Sequence, residues 1–155
     1  MVLTGGCRCG ACRYDIAGQT LPPVYACHCH ICQRWSGSAF SLQALVPEAA
    51  LSVTGPVVIY EITTKDRTSS QRVCGVCHSR LYNTNTRRPC VAVVRAGTLD
   101  RSEELVCMAH IYTAYKQRWV EIPDDVPHWA EAAAPAEFAA ALTRSAPLPP
   151  SPSAS

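Results

Sequence analysis

Short apolar runs dominate the chain, and they have the composition of β-strands. Val, Ile, Tyr and Thr are frequent in them, and Gly, Pro, Asn or Asp separate one run from the next. The pattern predicts strands at residues 12–18, 38–46, 57–63, 70–74, 91–97 and 106–113. We therefore expect a mainly β fold, a small domain of antiparallel sheets.

The C-terminal region has a different pattern. The stretch PAEFAAALTR is predicted to be a short helix, with Pro135 suited to its first turn. The last eleven residues, SAPLPPSPSAS, are rich in Pro and Ser and predict a flexible tail. The predicted organisation is one domain over residues 1–130, a C-terminal helix within 131–144 and a tail over 145–155.

Length and charge narrow the class of protein. A chain of 155 residues suits one domain with a sizeable core. The net charge is +2 and no basic stripe is present, so a nucleic acid is not expected as a partner. No apolar run approaches the ~20 residues of a membrane span, and the N-terminus has no apolar core of a secretory signal. We therefore expect a cytoplasmic protein without a membrane partner.

Ten cysteines are the most unusual feature of the composition, and eight of them form three groups. In a reducing compartment, thiolates that lie this close together in sequence are more typical of metal ligands than of disulfides. Cys90 and Cys107 each stand alone in an apolar run and are expected to be small buried residues. The groups read C-x-C-x-x-C at Cys7, Cys9 and Cys12, C-x-C-x-x-C at Cys27, Cys29 and Cys32, and C-x-x-C at Cys74 and Cys77.

The chain resembles the glutathione-dependent formaldehyde-activating enzyme family, which includes centromere protein V, over residues 5–129. The resemblance lies in the stretches GGCRCGACRY, CHCHICQRWSGS, CGVCHSRLY, VRAGTLD and AHIYTAYKQRWVEIPDDVPHW. It implies coiled β-sheets, two zinc ions per chain and glutathione as a small-molecule partner. The implied reaction condenses glutathione with formaldehyde to S-hydroxymethylglutathione, a carbon–sulfur lyase activity. The implied ligands are Cys7, Cys9, Cys74 and Cys77 for a structural zinc, and Cys27, Cys29 and Cys32 for a catalytic zinc.

Ligand counting agrees with this division into two sites. Four thiolates make a closed tetrahedral site, whereas three leave one coordination position for a substrate thiol. His28 and His30 alternate with the cysteines and are expected to point away from them, although either could ligate zinc. Arg34 and Trp35 could be ordinary surface and packing residues, or an anion-binding and stacking wall for the thiol substrate.

The sequence leaves several alternatives open. Cys12 is an extra thiol that could compete for the first zinc, and His78 stands where the family usually has glycine. CGVCH also fits the c-type haem pattern, with Met108 as a conceivable axial ligand, and cysteines also hold iron–sulfur clusters. A non-catalytic zinc module that binds a thiol or a protein is the main functional alternative. The candidate acid–base residues, Asp124 and Asp125, are also typical of a solvated loop.

Overall fold

The structure, a computed structural model, describes residues 2–18 and 20–144. The predicted tail over 145–155 lies outside the described residues. The chain divides into two units, which we describe separately. The first comprises the residues up to Pro22 together with Leu42–Leu105, and the second comprises Pro23–Ser41 together with the residues from Val106 onwards.

The described residues form ten strands, two α-helices and four 3-10 turns. The helices are α1 (His30–Ser36) and α2 (Pro135–Thr143), and the 3-10 turns are Glu48–Ala50, Ala96–Thr98, Ser102–Glu104 and Thr113–Tyr115. The strands are β1 (Val2–Gly6), β2 (Arg13–Ala17), β3 (Val24–Cys27), β4 (Ser41–Pro47), β5 (Leu51–Thr54), β6 (Val57–Thr63), β7 (Thr68–Cys74), β8 (Arg80–Asn85), β9 (Arg88–Arg95) and β10 (Cys107–Ile111).

The first unit contains two groups of antiparallel strands. One has the order β1-β2-β5 and the other the order β4-β9-β8-β7-β6. The β1-β2 hairpin packs closely, because a Cβ atom on Gly5 would lie 2.3 Å from the ring of Tyr14, its cross-strand partner. Tyr14 is buried, and its hydroxyl bonds Thr98 Oγ1 at 2.7 Å. Only glycine at position 5 permits this ring to fill the space above the hairpin.

The second unit is built on β3, β10 and α2. All four residues of β3 are buried, and β3 pairs with β10 in parallel. Helix α2 begins at Pro135 and buries Phe138, whose ring lies 4.9 Å from that of Tyr25 in a T-shaped arrangement. The predicted C-terminal helix is therefore confirmed, ending at Thr143. No helix in the described part of the chain is long and apolar enough to cross a bilayer.

The mainly β class is confirmed, and each of the six predicted runs overlaps a strand. The parallel pairing of β3 with β10 departs from the expected antiparallel arrangement. The prediction that Cys90 is buried is wrong: this residue is exposed and has a positive φ of 63°. The register of β8 and β9 shifts at this end of the hairpin, so the side-chain alternation breaks and Cys90 turns outward. Cys107 lies in β10 and is half-buried.

Candidate metal centres

Four thiols converge in the first unit. Cys7 and Cys9 lie in the turn between β1 and β2, while Cys74 ends β7 and Cys77 lies in the turn before β8. Their four sulfur atoms all lie within 4.8 Å of one another. The Sγ atoms of Cys7 and Cys9 are 3.5 Å apart, and those of Cys9 and Cys74 are 3.8 Å apart. We call this set the tetrathiol cluster.

The sulfur separations fit a metal rather than disulfides. A tetrahedral zinc with Zn–S bonds of ~2.3 Å places its sulfurs about 3.8 Å apart, whereas a disulfide requires about 2.05 Å. All ten cysteines are free. The tetrathiol cluster therefore has the spacing and donor type of a closed zinc site, and its metal role remains a prediction.

Backbone N–H groups point at the sulfurs of this cluster. The Cys12 N–H donates to Cys7 Sγ at 3.2 Å, and the N–H groups of Val76 and Cys77 donate to Cys74 Sγ at 3.4 and 3.5 Å. Hydrogen bonds from the hydroxyl and backbone of Ser79 lower the pKa of Cys77 to about 5. Such donors favour thiolates, the form that binds a metal.

Cys12 and His78, two residues singled out in the sequence, lie beside the tetrathiol cluster. Cys12 is fully buried but is not among the four converging sulfurs, and burial raises the pKa of its thiol to about 11. His78 is exposed and has a φ of +60°, with its N–H bonded to the Cys74 carbonyl at 3.0 Å. Glycine adopts this left-handed conformation without strain, whereas a histidine there is strained.

Three thiols converge in the second unit, and we call them the trithiol cluster. Cys27 ends β3, Cys29 is the N-cap of α1, and Cys32 lies in the first turn of that helix. Their sulfur atoms lie within 4.8 Å of one another, with Cys27 Sγ and Cys29 Sγ 3.6 Å apart. Cys29 Sγ also accepts the Cys32 N–H at 3.4 Å, as a capping oxygen does in most helices. This spacing also fits zinc–thiolate geometry.

The three sulfurs share their protons unequally. Hydrogen bonds from the thiols of Cys27 and Cys32 lower the pKa of Cys29 to about 2. The same contacts, first with Cys29 and then with Cys32, raise the pKa of Cys27. Cys29 is therefore the preferred thiolate of the metal-free cluster, and a bound metal would replace the remaining protons.

His28 and His110 form a buried pair beside the trithiol cluster. His28 Nε2 lies 2.9 Å from His110 Nδ1, and His28 Nδ1 has no hydrogen-bond partner among the described residues. Burial lowers the pKa of His28, and burial with the neighbouring His28 and His128 lowers that of His110 to about 4. Both rings are therefore neutral at pH 7. His110 was not among the sequence-predicted site residues, because a single His in an apolar strand has no distinguishing local pattern.

The protons of this pair can be assigned from Cys107. The Cys107 thiol uses its one proton to donate to the Ala109 carbonyl at 3.3 Å. Its sulfur can therefore only accept in the 3.6 Å contact with His110 Nε2, so that nitrogen carries the proton. A neutral His110 then accepts at Nδ1 from His28 Nε2–H. This leaves His28 Nδ1 as a buried lone pair. His28 thus contacts a neighbouring strand, whereas His30 is exposed and makes an edge contact with the Tyr115 ring, with the ring centroids 5.2 Å apart.

Gln33 connects α1 to the segment after β10. Its Nε2 donates to the His28 carbonyl at 2.6 Å and to the Tyr115 carbonyl at 2.8 Å. Gln117 Nε2 in turn donates to Gln33 Oε1 at 3.4 Å. One amide side chain therefore holds the start of α1 against residues 115–117, a contact that no local sequence pattern predicts.

The predicted substrate-binding residues occupy different sides of α1. Trp35 is half-buried and lies one helical turn after Cys32, an i, i+3 relation that places the two side chains on one face. Arg34 is exposed and follows Cys32 by two residues, so it projects towards another side of the helix. Asp124 and Asp125 are both exposed. Their roles in binding or catalysis remain predictions.

Comparison with known proteins identifies the class to which this fold and these clusters belong. The family model described as glutathione-dependent formaldehyde-activating enzyme matches residues 2–115. The chain therefore belongs to this family.

Individual relatives agree with this assignment. A protein of Halomonas elongata named "Putative glutathione-dependent formaldehyde-activating enzyme" is 28% identical over 131 residues, which cover 79% of this chain and 82% of that protein. A crystal structure of a Rhodobacter sphaeroides protein superimposes with a TM-score of 0.51 at 17% identity, covering 81% of this chain and 99% of the other. The second likeness supports the fold alone.

Proposed function

We propose that the protein is a zinc-dependent enzyme that joins glutathione, or a related thiol, to formaldehyde or a related carbonyl. The observation that carries the proposal is the convergence of three sulfurs in the trithiol cluster, where the tetrathiol cluster has four. Structural zinc sites are closed by four protein ligands, whereas catalytic sites keep one position open. Membership of the family supports glutathione and formaldehyde as the substrate pair.

Zinc is the cofactor that the two donor sets fit best. When bound, zinc at the trithiol cluster supplies an open position that favours the deprotonated form of a substrate thiol. The tetrathiol cluster would hold a structural zinc, giving two per chain. The proposed ligands are Cys27, Cys29 and Cys32 at the first of these sites, and Cys7, Cys9, Cys74 and Cys77 at the second.

Residues of α1 would position the thiol substrate. The Cys32 N–H donates to Cys29 Sγ and stabilises negative charge on that sulfur. Trp35, on the same face as Cys32, would form the wall of the binding site. Arg34 is exposed and long enough to bind a glutathione carboxylate at the rim of the helix rather than next to the sulfurs.

The reaction is an addition that needs no oxidant. The thiolate sulfur forms a bond to the carbonyl carbon, the C=O π pair moves to the oxygen, and that oxygen takes up a proton from solvent. The product is a hydroxymethyl thioether of glutathione, and the reverse steps release formaldehyde. Binding both reactants side by side supplies most of the rate increase, because the chemical step is intrinsically easy.

A non-catalytic zinc module that binds a thiol or a protein is the second candidate. It is favoured by the exposure of Asp124 and Asp125, since exposed carboxylates are usually solvated rather than catalytic. Turnover separates the two candidates. The module binds glutathione without changing the rate of its reaction with formaldehyde.

The test measures the exchange of glutathione with formaldehyde by NMR, and glutathione binding by calorimetry, on zinc-loaded protein. We expect faster exchange with the wild type and loss of both signals in Cys29→Ser. Cys90→Ser is the matched control, because Cys90 is exposed and lies outside both clusters. Arg34→Gln should raise the KM for glutathione and leave that for a carboxylate-free thiol unchanged.

Two outcomes would contradict the proposal. Binding without any rate increase would leave only the non-catalytic module. No binding at millimolar glutathione, with zinc fully loaded, would remove glutathione as the substrate.

A further inference from the structure

Strand β6 is an edge strand of the first unit, and no strand among residues 2–18 and 20–144 pairs with its outer side. It is the last strand in the order β4-β9-β8-β7-β6 and pairs with β7 in an unbroken register from Val57↔Cys74 to Thr63↔Thr68. Proteins usually protect such an edge with Lys, Pro, a bulge or a covering segment. The sequence VVIYEIT contains neither Lys nor Pro, and Glu61 is its one charged residue.

The side chains of β6 are also unusually apolar for their exposure. Val58, Tyr60 and Ile62 are 50%, 37% and 38% exposed and share one face of the sheet. On that face, their β7 partners Val73 and Gln71 are 8% and 3% exposed. On this face the side chains of β7 are buried, whereas three neighbouring apolar side chains of β6 are exposed to solvent.

Two hydrogen bonds outside the strand show which backbone groups of β6 face the open edge. The Thr64 N–H bonds the Arg67 carbonyl at 2.8 Å, and the Gly75 N–H bonds the Pro56 carbonyl at 2.7 Å. Hydrogen-bonded and non-hydrogen-bonded residue pairs alternate along an antiparallel ladder. The even-numbered residues between these two bonds therefore direct their backbone N–H and C=O groups towards β7. The N–H and C=O groups of Ile59 and Glu61 consequently point to the open edge.

We infer that β6 pairs antiparallel with β6 of a second copy of this chain, with Tyr60 on the two-fold axis. In this register Ile59 lies opposite Glu61 of the other copy, and their outward N–H and C=O groups bond. Val58 lies opposite Ile62, so six apolar side chains from two copies form one continuous face. Both copies contribute the same surface, as two-fold symmetry requires.

The charge of Glu61 selects this register over its neighbours. Centring the axis on Glu61 would place two carboxylates opposite each other, which is destabilising. Centring it on Ile59 would place Ile62 opposite Pro56 and shorten the apolar face. The Tyr60-centred register avoids both and pairs every apolar residue of this face with another.

The length of the strand sets the strength of the dimer. Seven residues on each side are far fewer than the ~20–30 of a stable interface. The dimer is therefore weak and dissociates on dilution.

Sedimentation equilibrium over a range of protein concentrations tests this inference. We expect a monomer–dimer equilibrium for the wild type and at least tenfold weaker association for Glu61→Pro. This substitution removes an outward N–H and leaves the ladder with β7 and all apolar side chains intact. Glu61→Ala is the matched control: it removes the same carboxylate, keeps the N–H and should dimerise at least as well as the wild type.

A cross-linking experiment tests the register and does not depend on how well Glu61→Pro folds. In a Cys90→Ser background, Tyr60→Cys should form an intermolecular disulfide on mild oxidation, because residues on the axis form a closely spaced non-hydrogen-bonded pair. Ile62→Cys should not, since it faces Val58 of the other copy. A wild type that stays monomeric at millimolar concentration, or equal cross-linking of both variants, would overturn the inference.

Discussion

The two cysteine clusters are both built from thiols but are assembled from different parts of the chain. The tetrathiol cluster joins two pairs that lie 65 residues apart, counted from Cys9 to Cys74. The trithiol cluster takes all its sulfurs from six consecutive positions at the start of α1. A cluster of the first kind fastens distant segments together and contributes directly to folding. A cluster of the second kind closes almost no loop and leaves room for a substrate, so its neighbours must hold it in place.

The largest expected effect on stability comes from removing one thiol of the tetrathiol cluster. Structural zinc contributes ~10–16 kcal/mol in small peptides, as much as the ~5–15 kcal/mol stability of a whole domain. Cys74→Ser should therefore lower the thermal midpoint by more than about 15 °C or unfold the protein. Cys29→Ser should lower it by less than half as much. Calorimetry of the zinc-loaded variants checks this, and equal losses at the two clusters would contradict the division into structural and catalytic sites.

The next effect concerns the support of the trithiol cluster. His110→Ala removes the partner of the fully buried His28 ring, and a buried polar group without a partner costs roughly 1–3 kcal/mol. Urea unfolding measures the loss. The control is His30→Ala, which alters an exposed imidazole in the same loop and should change stability by less than about 0.5 kcal/mol. Similar losses in both variants would mean that the buried pair does not hold the loop.

A smaller effect, of opposite sign, is expected beside the tetrathiol cluster. His78 has left-handed backbone geometry, which costs a non-glycine residue about 1–2 kcal/mol. His78→Gly should relieve this strain, but glycine loses more chain entropy on folding, so the free energy of unfolding should rise by only about 0.5–1 kcal/mol. Val76→Gly, in the same turn, should instead lower it. A loss of stability in both variants would show that the His78 side chain contributes more than its strain costs.

The smallest effect comes from an ion pair in the unit that holds the tetrathiol cluster. Hydrogen bonds from Arg13 and then Thr4 lower the pKa of Asp100. The ionised Asp100 therefore stabilises the folded protein above pH ~3.9, the pKa of an unfolded Asp. This stabilisation is lost as the pH falls through the lower pKa of the folded state. Because the two side chains of the ion pair are 47% and 42% exposed, Asp100→Asn should cost about 0.5 kcal/mol at pH 6 and almost nothing at pH 3.

Unfolding titrations at both pH values, with and without added salt, check this prediction. A loss above about 1.5 kcal/mol at pH 6 would mean that the ion pair, rather than the cysteine cluster alone, fastens the β1-β2 hairpin.

Strand prediction succeeded where apolar residues were dense and failed where runs were short or polar. The run VVIYEIT coincides with β6. Strand β3 was missed because VYAC is only four residues long and follows two prolines. Strand β8 was missed because its buried positions include Asn83, which bonds other polar side chains of the sheet. Local composition does not reveal burial that depends on such side-chain partners.

The grouping of the cysteines was predictable from the sequence, whereas the contacts that support each group were not. Spacing alone grouped Cys27, Cys29 and Cys32, whereas the meeting of Cys9 with Cys74 was expected only from the family resemblance. Helix α1 was missed because its N-cap is Cys29 rather than Ser, Thr, Asp or Asn, and none of its residues is buried. The contacts of His28 and Gln33 depend on β10 and the residues after it, some 80 positions away.

The parallel pairing of β3 with β10 also determines how late the trithiol cluster gains its supporting strand during biosynthesis. Cys27 lies opposite Ile111, which is made 84 residues later. At ~5–20 residues per second, the ribosome needs roughly 4–17 s to cover that distance. Until Cys74 is made, the nascent chain carries six thiols in two identical C-x-C-x-x-C spacings, and Cys7 and Cys9 lack the two thiols with which they converge in the folded protein. If the clusters bind metal as proposed, an ion captured that early would bridge the two C-x-C-x-x-C segments, and ligand exchange would have to follow once Cys74 and Cys77 have been made.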